Sequence, residues 1–413
     1  MEVSTIKISE KNYAIILPGQ VAYALDATLE EVEEFKKELI SNYKEEEKQE
    51  GDSVSLAIIT TYDCNLRCAY CYSKGGESKE KLNMADVEVA LLHLQKKGKK
   101  TLDLYLVGGG EPLLDFTIIK EIEFMAKSVF ENVRFNIVTN GMFGDEVLFW
   151  IVKEKASVRI SFDGVAQNHQ RRTHADEGSS NIVVNNIKEL VNRGVEPIVQ
   201  CIVTSDSADK MIDGAKLIRS MGVRVIKFEP AIISQNSRGE KNLQVDPKEY
   251  SKNLLKLIDY VVENELDIMI DTGFFTKPSE GSYCGIAKGN FVLTPQGKIT
   301  SCVEVGKTSD LYSEKIMIGD ITENKIEINH ENIEFLKMLN YRNQIGGCKE
   351  CELRMICLGG CPMSNIWENG LPLKKSPFTC VISKIIVPEI LNRLIKNDYY
   401  SKVLIEDVDR KYL

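Results

Sequence analysis

The chain has 413 residues, 43% hydrophobic, with 52 Lys and Arg against 61 Asp and Glu, a formal charge of −9. That balance excludes the basic footprint of a nucleic-acid binder, and no apolar run reaches the roughly 18 residues of a membrane span. The length allows two or three domains. No basic segment followed by an apolar stretch opens the chain, so the expected location is cytoplasmic.

Residues 1–50 read as a short α+β preface. Thr5–Ile8 and Tyr13–Leu17 form strands around the turn at Glu10-Lys11-Asn12. Thr28–Tyr43 then makes a helix, with Thr28 as N-cap and Glu31 three residues on. The charged run Lys44–Gly51 is a linker. The hairpin edge of this preface suits strand addition by a peptide, a possible truncated recognition element; packing as a cap is the plainer role.

From Val54 to about Glu265, β-rich apolar runs alternate with amphipathic helical stretches. Strands are expected at Val54–Ile59, Leu102–Val107, Val133–Val138, Val158–Phe162, Ile198–Val203 and Val223–Phe228. Helices follow at Met84–Lys97, Leu114–Phe130, Glu146–Lys155, Asn181–Asn192, Lys210–Met221 and Lys248–Glu263. Six such units imply a parallel sheet and a partial (β/α)6 barrel over residues 51–266, with its chemistry at the C-terminal strand ends.

The motifs fall at those ends. After the first strand come Cys64, Cys68 and Cys71, spaced C-x3-C-x2-C, with Tyr70 just before the third. Thiolates so placed favour a soft metal or an iron–sulfur cluster, and three ligands leave one iron of four open. Zinc would want a fourth ligand nearby. Gly108-Gly109-Gly110-Glu111-Pro112 follows the second strand, where glycine permits close backbone approach to a ligand and Glu111 can accept from an ammonium group; alone it is only a loop. Thr139-Asn140-Gly141 ends the third strand and reads equally as a turn. Ser161 and Asp163 end the fourth on one face, suited to ribose hydroxyls. Val203 ends the fifth. Cys201 inside that strand reads as a buried free cysteine, His93 as structural, and His174 and His330 as loop residues.

Eleven cysteines in a chain without a secretion signal point to metal rather than disulfides. Seven fall between residues 284 and 380. Cys284 and Cys302 stand near the open ends of a hairpin, Asn290–Leu293 and Lys298–Thr300, turned at Pro295-Gln296-Gly297. Cys348, Cys351, Cys357 and Cys361 run C-x2-C-x5-C-x3-C, followed by Cys380. Spacing alone leaves structural zinc and iron–sulfur clusters even here. A helix over Val381–Ile395 and a charged tail over 397–413 close the chain.

The C-x3-C-x2-C loop, with its aromatic before the third cysteine, resembles the signature of the radical S-adenosylmethionine (SAM) enzymes. Followed by Gly-Gly-Glu-Pro, the resemblance implies a cluster on Cys64, Cys68 and Cys71 whose open iron chelates SAM. In that family an electron from the cluster cleaves SAM to a 5′-deoxyadenosyl radical that abstracts hydrogen. The resemblance also implies SAM contacts from Tyr70, Gly109, Gly110, Glu111, Pro112, Asn140, Ser161, Asp163 and Val203. The usual His, acid, then Arg after the Ser-Asp pair departs here to His169-Gln170-Arg171-Arg172, and Arg172 is taken for the SAM carboxylate.

Over residues 267–396 the cysteine pattern resembles the SPASM extension, which carries two auxiliary four-iron clusters. It implies Cys348, Cys351, Cys357 and Cys380 on one auxiliary cluster and Cys284, Cys302 and Cys361 on the other. The eight-cysteine form has a further cysteine after the first, and positions 285–301 hold none. That cluster is expected to have an open iron, for a substrate thiolate or for Glu304, the one candidate catalytic residue.

Such enzymes mostly modify peptides or proteins. The expected function is a thioether crosslink in a Cys-containing ribosomal precursor peptide, with flavodoxin or ferredoxin as electron donor. The alternatives are an anaerobic sulfatase-maturing, formylglycine-forming enzyme, a C–C or C–O crosslinking enzyme, and, outside catalysis, a zinc-stabilised binding module.

Overall fold

The structure is a computed structural model that describes residues 2–44, 51–173, 175, 177–275, 278–279, 281–339, 344–397 and 399–404. The linker over 45–50, His174 and the tail beyond 404 lie outside the described residues. In chain order the main elements are β1 (Ser4–Lys7), β2 (Tyr13–Leu17), β3 (Gln20–Ala24), α1 (Leu29–Asn42), β4 (Ser53–Ile58), α2 (Met84–Gln95), β5 (Thr101–Leu106), α3 (Phe116–Val129), β6 (Asn132–Thr139), α4 (Asp145–Glu154) and β7 (Ser157–Ser161). There follow α5 (Gln167–Gln170), α6 (Ser180–Asn192), β8 (Ile198–Val203), α7 (Met211–Ser220), β9 (Val225–Pro230), α8 (Pro247–Glu263) and β10 (Met269–Asp271). The remainder is β11 (Val292–Leu293), β12 (Lys298–Thr300), α9 (Ser313–Ile316), β13 (Met317–Thr322), β14 (Lys325–Ile328), α10 (His330–Met338), α11 (Arg354–Cys357), α12 (Pro362–Asn369), α13 (Pro377–Lys396) and α14 (Tyr400–Val403).

Two compact units divide the chain. The barrel unit comprises residues 52–245 and 285–338. Its strands β4 to β9 pair in sequence order, all parallel, as the Val/Ile/Leu-rich runs predict. Along β7 to β9 the residues Val158, Ile160, Val199, Cys201, Val203, Ile226 and Phe228 are buried. The alternate face carries half-buried Arg159, Ser161, Gln200, Ile202 and Glu229. That period of two assigns one face to the core and the other to the interior of the partial barrel. Helices end where chemistry stops them: the Asn83 side chain caps α2 by accepting from Ala85 N at 3.1 Å.

On its far side β4 pairs in parallel with β11, which forms the expected hairpin with β12 around Pro295-Gln296-Gly297. Strands β13 and β14, absent from the sequence reading, extend it. Their turn uses Glu323 and Asn324, both at positive φ, a two-residue hairpin signal weaker than Asn-Gly.

The terminal unit gathers the preface, residues 246–284 and residues from 339 onward. The preface has three antiparallel strands rather than two, because Pro18-Gly19 turns the chain back into β3. Thr28 and Glu31 form the expected capping box, with Thr28 N donating to Glu31 Oε2 at 2.7 Å. Helices α8 and α13 are tied by Arg393, whose guanidinium holds Asp259 at 2.6 and 2.8 Å. The last long helix begins earlier than expected, at Pro377, because Ser376 Oγ caps Thr379 N at 3.0 Å and proline suits the first turn. Cys380 is therefore within the helix rather than ahead of it.

Candidate active site

All three thiols of residues 64–71 lie in the barrel unit, on the loop leaving β4, and feel one another electrostatically. Burial pushes the Cys64 thiol up to about 12, helped by the Glu111 carboxylate. Burial pushes Cys68 up to about 11, against the opposing pull of Arg171. The loop backbone is clamped by two arginines. Arg67 Nη1 donates to the carbonyls of Cys64 at 2.6 Å and Leu66 at 2.9 Å, and Nη2 to Gly76 at 2.9 Å. Arg238 Nη1 donates to Cys68 O at 3.1 Å, and its Nη2 to Gly75 O at 2.8 Å. Neither arginine was legible as a site residue. Arg67 lies between two cysteines, but a lone Arg in a loop carries no signal; Arg238 is 170 residues away from Cys68 in sequence.

The glycine run after β5 lies directly on this loop. Gly110 N donates to Thr61 O and Glu111 N to Asp63 O, each at 2.9 Å. A Cβ on residue 110 would stand 1.9 Å from Asp63 O, so only glycine permits the approach. Glu111 is buried, and its carboxylate accepts from Thr139 Oγ1 and Asn140 N at 2.7 Å and from Leu113 N at 3.1 Å. Burial pushes its carboxyl up, opposed by those same bonds. Glu111 thus fixes the turn that ends β6. Pro112 accepts from Thr60 Oγ1 at 3.2 Å.

That turn is more than punctuation. Asn140 Nδ2 donates to Asn65 Oδ1 at 2.7 Å and lies 3.8 Å from Cys64 Sγ. The amide therefore faces the cysteine loop across 76 residues of sequence.

Ser161 is half-buried on the interior face at the end of β7. The Asp163 side chain, by contrast, is fully enclosed. It accepts from Tyr70 Oη at 2.6 Å and Ile202 N at 3.0 Å, and pairs with Arg171 Nε at 3.0 Å in a contact too bent to be a hydrogen bond. Here Asp163 orients Tyr70 and Arg171, and its carboxylate is committed to protein donors. The Arg171 side chain faces the cysteine loop, whereas Arg172 meets it through its backbone carbonyl, which accepts from Arg67 N at 2.7 Å. Arg171 is buried, stands 5.2 Å from the Tyr70 ring centroid and donates to Cys68 Sγ at 3.7 Å. Arg172 instead donates to Asn168 O at 2.9 Å. Val203 sits on the core face of β8 with Cys201, and Ile202 occupies the interior face at that end.

A charged wall continues along β8 and β9. Gln200 Nε2 donates to Glu229 Oε2 at 2.5 Å, and Lys227 Nζ lies 3.6 Å from the same oxygen. Glu304 joins them: burial and then Glu229 push its carboxyl up to about 7, with Lys227 opposing.

In the terminal unit Cys348, Cys351, Cys357 and Cys380 line one open cavity together with Lys375, Ser376, Thr379, Ser383 and Lys384. Burial and then the neighbouring Cys357 and Cys351 push Cys348 up to about 11. Burial raises the Cys357 thiol, and the neighbouring Ser383 hydroxyl and Gly359 N–H oppose that rise. Cys302 follows β12 in the barrel unit, while Cys284 and Cys361 belong to the terminal unit. None of the eleven cysteines is in a disulfide.

Residues 58–218 match the family model described as the radical SAM superfamily. The chain carries a radical SAM domain. It is 25% identical over 330 residues to a cysteine-type anaerobic sulfatase-maturating enzyme of Clostridium perfringens, covering 72% of this chain and 85% of that protein. It is 26% identical over 253 residues to the sporulation killing factor maturation protein SkfB of Bacillus subtilis, 60% of each chain. Among solved structures, anSMEcpe with bound AdoMet aligns at TM-score 0.70 and 21% identity, covering 84% of this chain and 99% of that one. SuiB of Streptococcus suis bound to precursor peptide SuiA aligns at 0.57 and 14%, covering 92% and 98%. These structures show the same fold.

Radical SAM domains bind SAM and a four-iron cluster, and the donor set here fits one. Three cysteines share a loop, amide and guanidinium groups face two of the sulfurs, and glycine backbone lies against the loop. Among the described residues no three Cys, His, Asp or Glu groups close around a point small enough for a single ion. A multi-iron core is larger than one ion. In the radical SAM domain Cys64, Cys68 and Cys71 would hold it, and the cluster supplies the electron that cleaves SAM.

Proposed function

We propose that this chain is a peptide-modifying radical SAM maturase, and that its product is a Cys thioether in a ribosomally made precursor peptide. One observation carries the reading. Besides the cysteine triad of the radical SAM domain, four further cysteines line a single cavity in the terminal unit, with the Ser383 hydroxyl and the Gly359 N–H near one sulfur. A thiolate cage with donors to its sulfurs suits an iron–sulfur cluster. Cys348, Cys351, Cys357 and Cys380 are its proposed ligands. The likeness to SkfB and to peptide-bound SuiB supports a peptide substrate.

Within this reading the chain's own residues orient and exclude. Arg67, Arg238 and Asn140 fix the cysteine loop, and the interior face bearing Ser161, Gln200 and Glu229 positions the peptide, since a radical takes the hydrogen nearest to it. A one-electron donor such as flavodoxin or ferredoxin is the proposed partner. Residues 2–44 are proposed as the recognition element, because β1 and β3 are the outer strands of their sheet and an extended peptide adds to such an edge.

A second reading has its own support. The sulfatase-maturating relative covers more of both chains than SkfB does, which favours formylglycine formation on a protein cysteine or serine. Co-expression with candidate precursor peptides and with a sulfatase, followed by mass spectrometry, separates the two. A loss of two hydrogens that resists reduction and alkylation supports the thioether. An aldehyde on the sulfatase, with the peptides unchanged, overturns it in favour of the second reading.

A further inference from the structure

We propose that Lys375 sets the reduction potential of the four-cysteine centre, holding it higher than the same cage would have without its ammonium. The inference rests on the reading above that Cys348, Cys351, Cys357 and Cys380 hold a four-iron cluster. Three cations line that cavity, and they differ in what they offer. Arg354 is already engaged: its Nε lies 3.5 Å from Glu2 Oε2 and its Nη2 donates to Val3 O at 2.8 Å. Lys384 is exposed, so water and salt screen it.

Lys375 is half-buried, and no carboxylate pairs with its Nζ among the described residues. Its Nζ lies 3.2 Å from where a Cβ on residue 347 would stand, so the ammonium is placed against the backbone that enters Cys348. A cluster held by four thiolates is anionic and becomes more so when it accepts one electron. A half-buried cation beside it, with no carboxylate partner among the described residues, favours that reduced state, and charge is among the levers that set such potentials.

The consequence is directional. Lys375 makes this centre a better acceptor for the one electron released when a substrate radical is oxidised. The electron then leaves to an external carrier of the flavodoxin or ferredoxin type. The ammonium moves no proton and touches no substrate, so its effect is confined to the electron.

The test is an EPR-monitored redox titration of the full-length, anaerobically reconstituted protein carrying Cys64→Ala, Cys68→Ala and Cys71→Ala, which removes the first cluster's signal. The signal followed is the one that Cys351→Ala abolishes. Lys375→Gln is expected to lower its midpoint potential, Lys375→Glu to lower it further, and Lys375→Arg to leave it near the parent value. Equal potentials in all four proteins, at equal iron content, overturn the role of Lys375. A parent protein in which Cys351→Ala removes neither iron nor signal overturns the cluster reading itself, and the inference with it.

Discussion

Asn140 donates its backbone N–H to Glu111 Oε2 at 2.7 Å, and this bond holds the Asn140 amide 3.8 Å from the sulfur of Cys64. Glu111 reaches across from the β5 loop to do so, also binding Thr139 Oγ1. A Glu111→Gln side chain keeps the shape but presents an NH2 group to one of these donors. A buried donor left without its acceptor costs about 1–3 kcal/mol. We expect a lower unfolding temperature and at least about a tenfold loss of SAM cleavage, since about 1.4 kcal/mol is one decade of rate. Wild-type cleavage by Glu111→Gln would show that the turn is held by other means.

Gly110 offers a sharper steric test. Its missing Cβ would meet backbone at 1.9 Å, whereas at Gly75 the nearest atom is at 3.2 Å. Gly110→Ala must push the Asp63 carbonyl, and with it the strand of loop that leads into Cys64. Overpacking of this kind costs typically about 1–3 kcal/mol. Iron bound at the first site, read from the difference against a Cys64→Ala variant, is expected to fall strongly in Gly110→Ala and little in Gly75→Ala. Equal retention in both would contradict the close approach.

Two adjacent arginines are predicted to behave differently. Removing Arg171 leaves the enclosed Asp163 carboxylate without its charge partner, a loss of about 3–5 kcal/mol for a buried pair. Arg172→Ala removes an exposed bond to a backbone carbonyl and is expected to cost less stability than loss of the buried Arg171. Thermal unfolding of the two variants, with SAM binding by equilibrium dialysis, decides the matter. An Arg172→Ala variant that is stable yet loses SAM would return the carboxylate contact to Arg172.

The architecture was legible because its signals are local. Val/Ile/Leu runs separated by amphipathic stretches can only be parallel strands and crossover helices, and six such strands were found at nearly the expected places. The cysteine loop was legible for the same reason: eight residues carry all three sulfurs. Its supports were not. Arg238 and Asn140 meet the loop from 170 and 76 positions away, and no local pattern marks them. Spacing does not separate Arg171 from Arg172, because a one-residue shift within a short helical turn reverses which side chain faces inward. Val203 shows the same parity: it lies on the buried face of β8, one residue from the interior-facing Ile202. Strand β3 and the early start of α13 do have local signals, in the turn Pro18-Gly19 and the cap Ser376-Pro377.

The two cysteine groups belong to separate compact units, Cys64, Cys68 and Cys71 in one and Cys348, Cys351, Cys357 and Cys380 in the other. Their losses should therefore be separable. Any one of Cys64→Ala, Cys68→Ala and Cys71→Ala is expected to abolish 5′-deoxyadenosine formation, because each removes one of the three thiolates that would anchor the cluster and leave a single iron open for SAM. Cys348→Ala should remove iron from the terminal unit while the first site still cleaves SAM, slowly and without coupling to product. Chromatography of 5′-deoxyadenosine alongside mass spectrometry of the peptide measures both. Full product from Cys348→Ala would remove the four-cysteine cavity from the reaction, and loss of all cleavage in that variant would show that the two units do not act as separable centres.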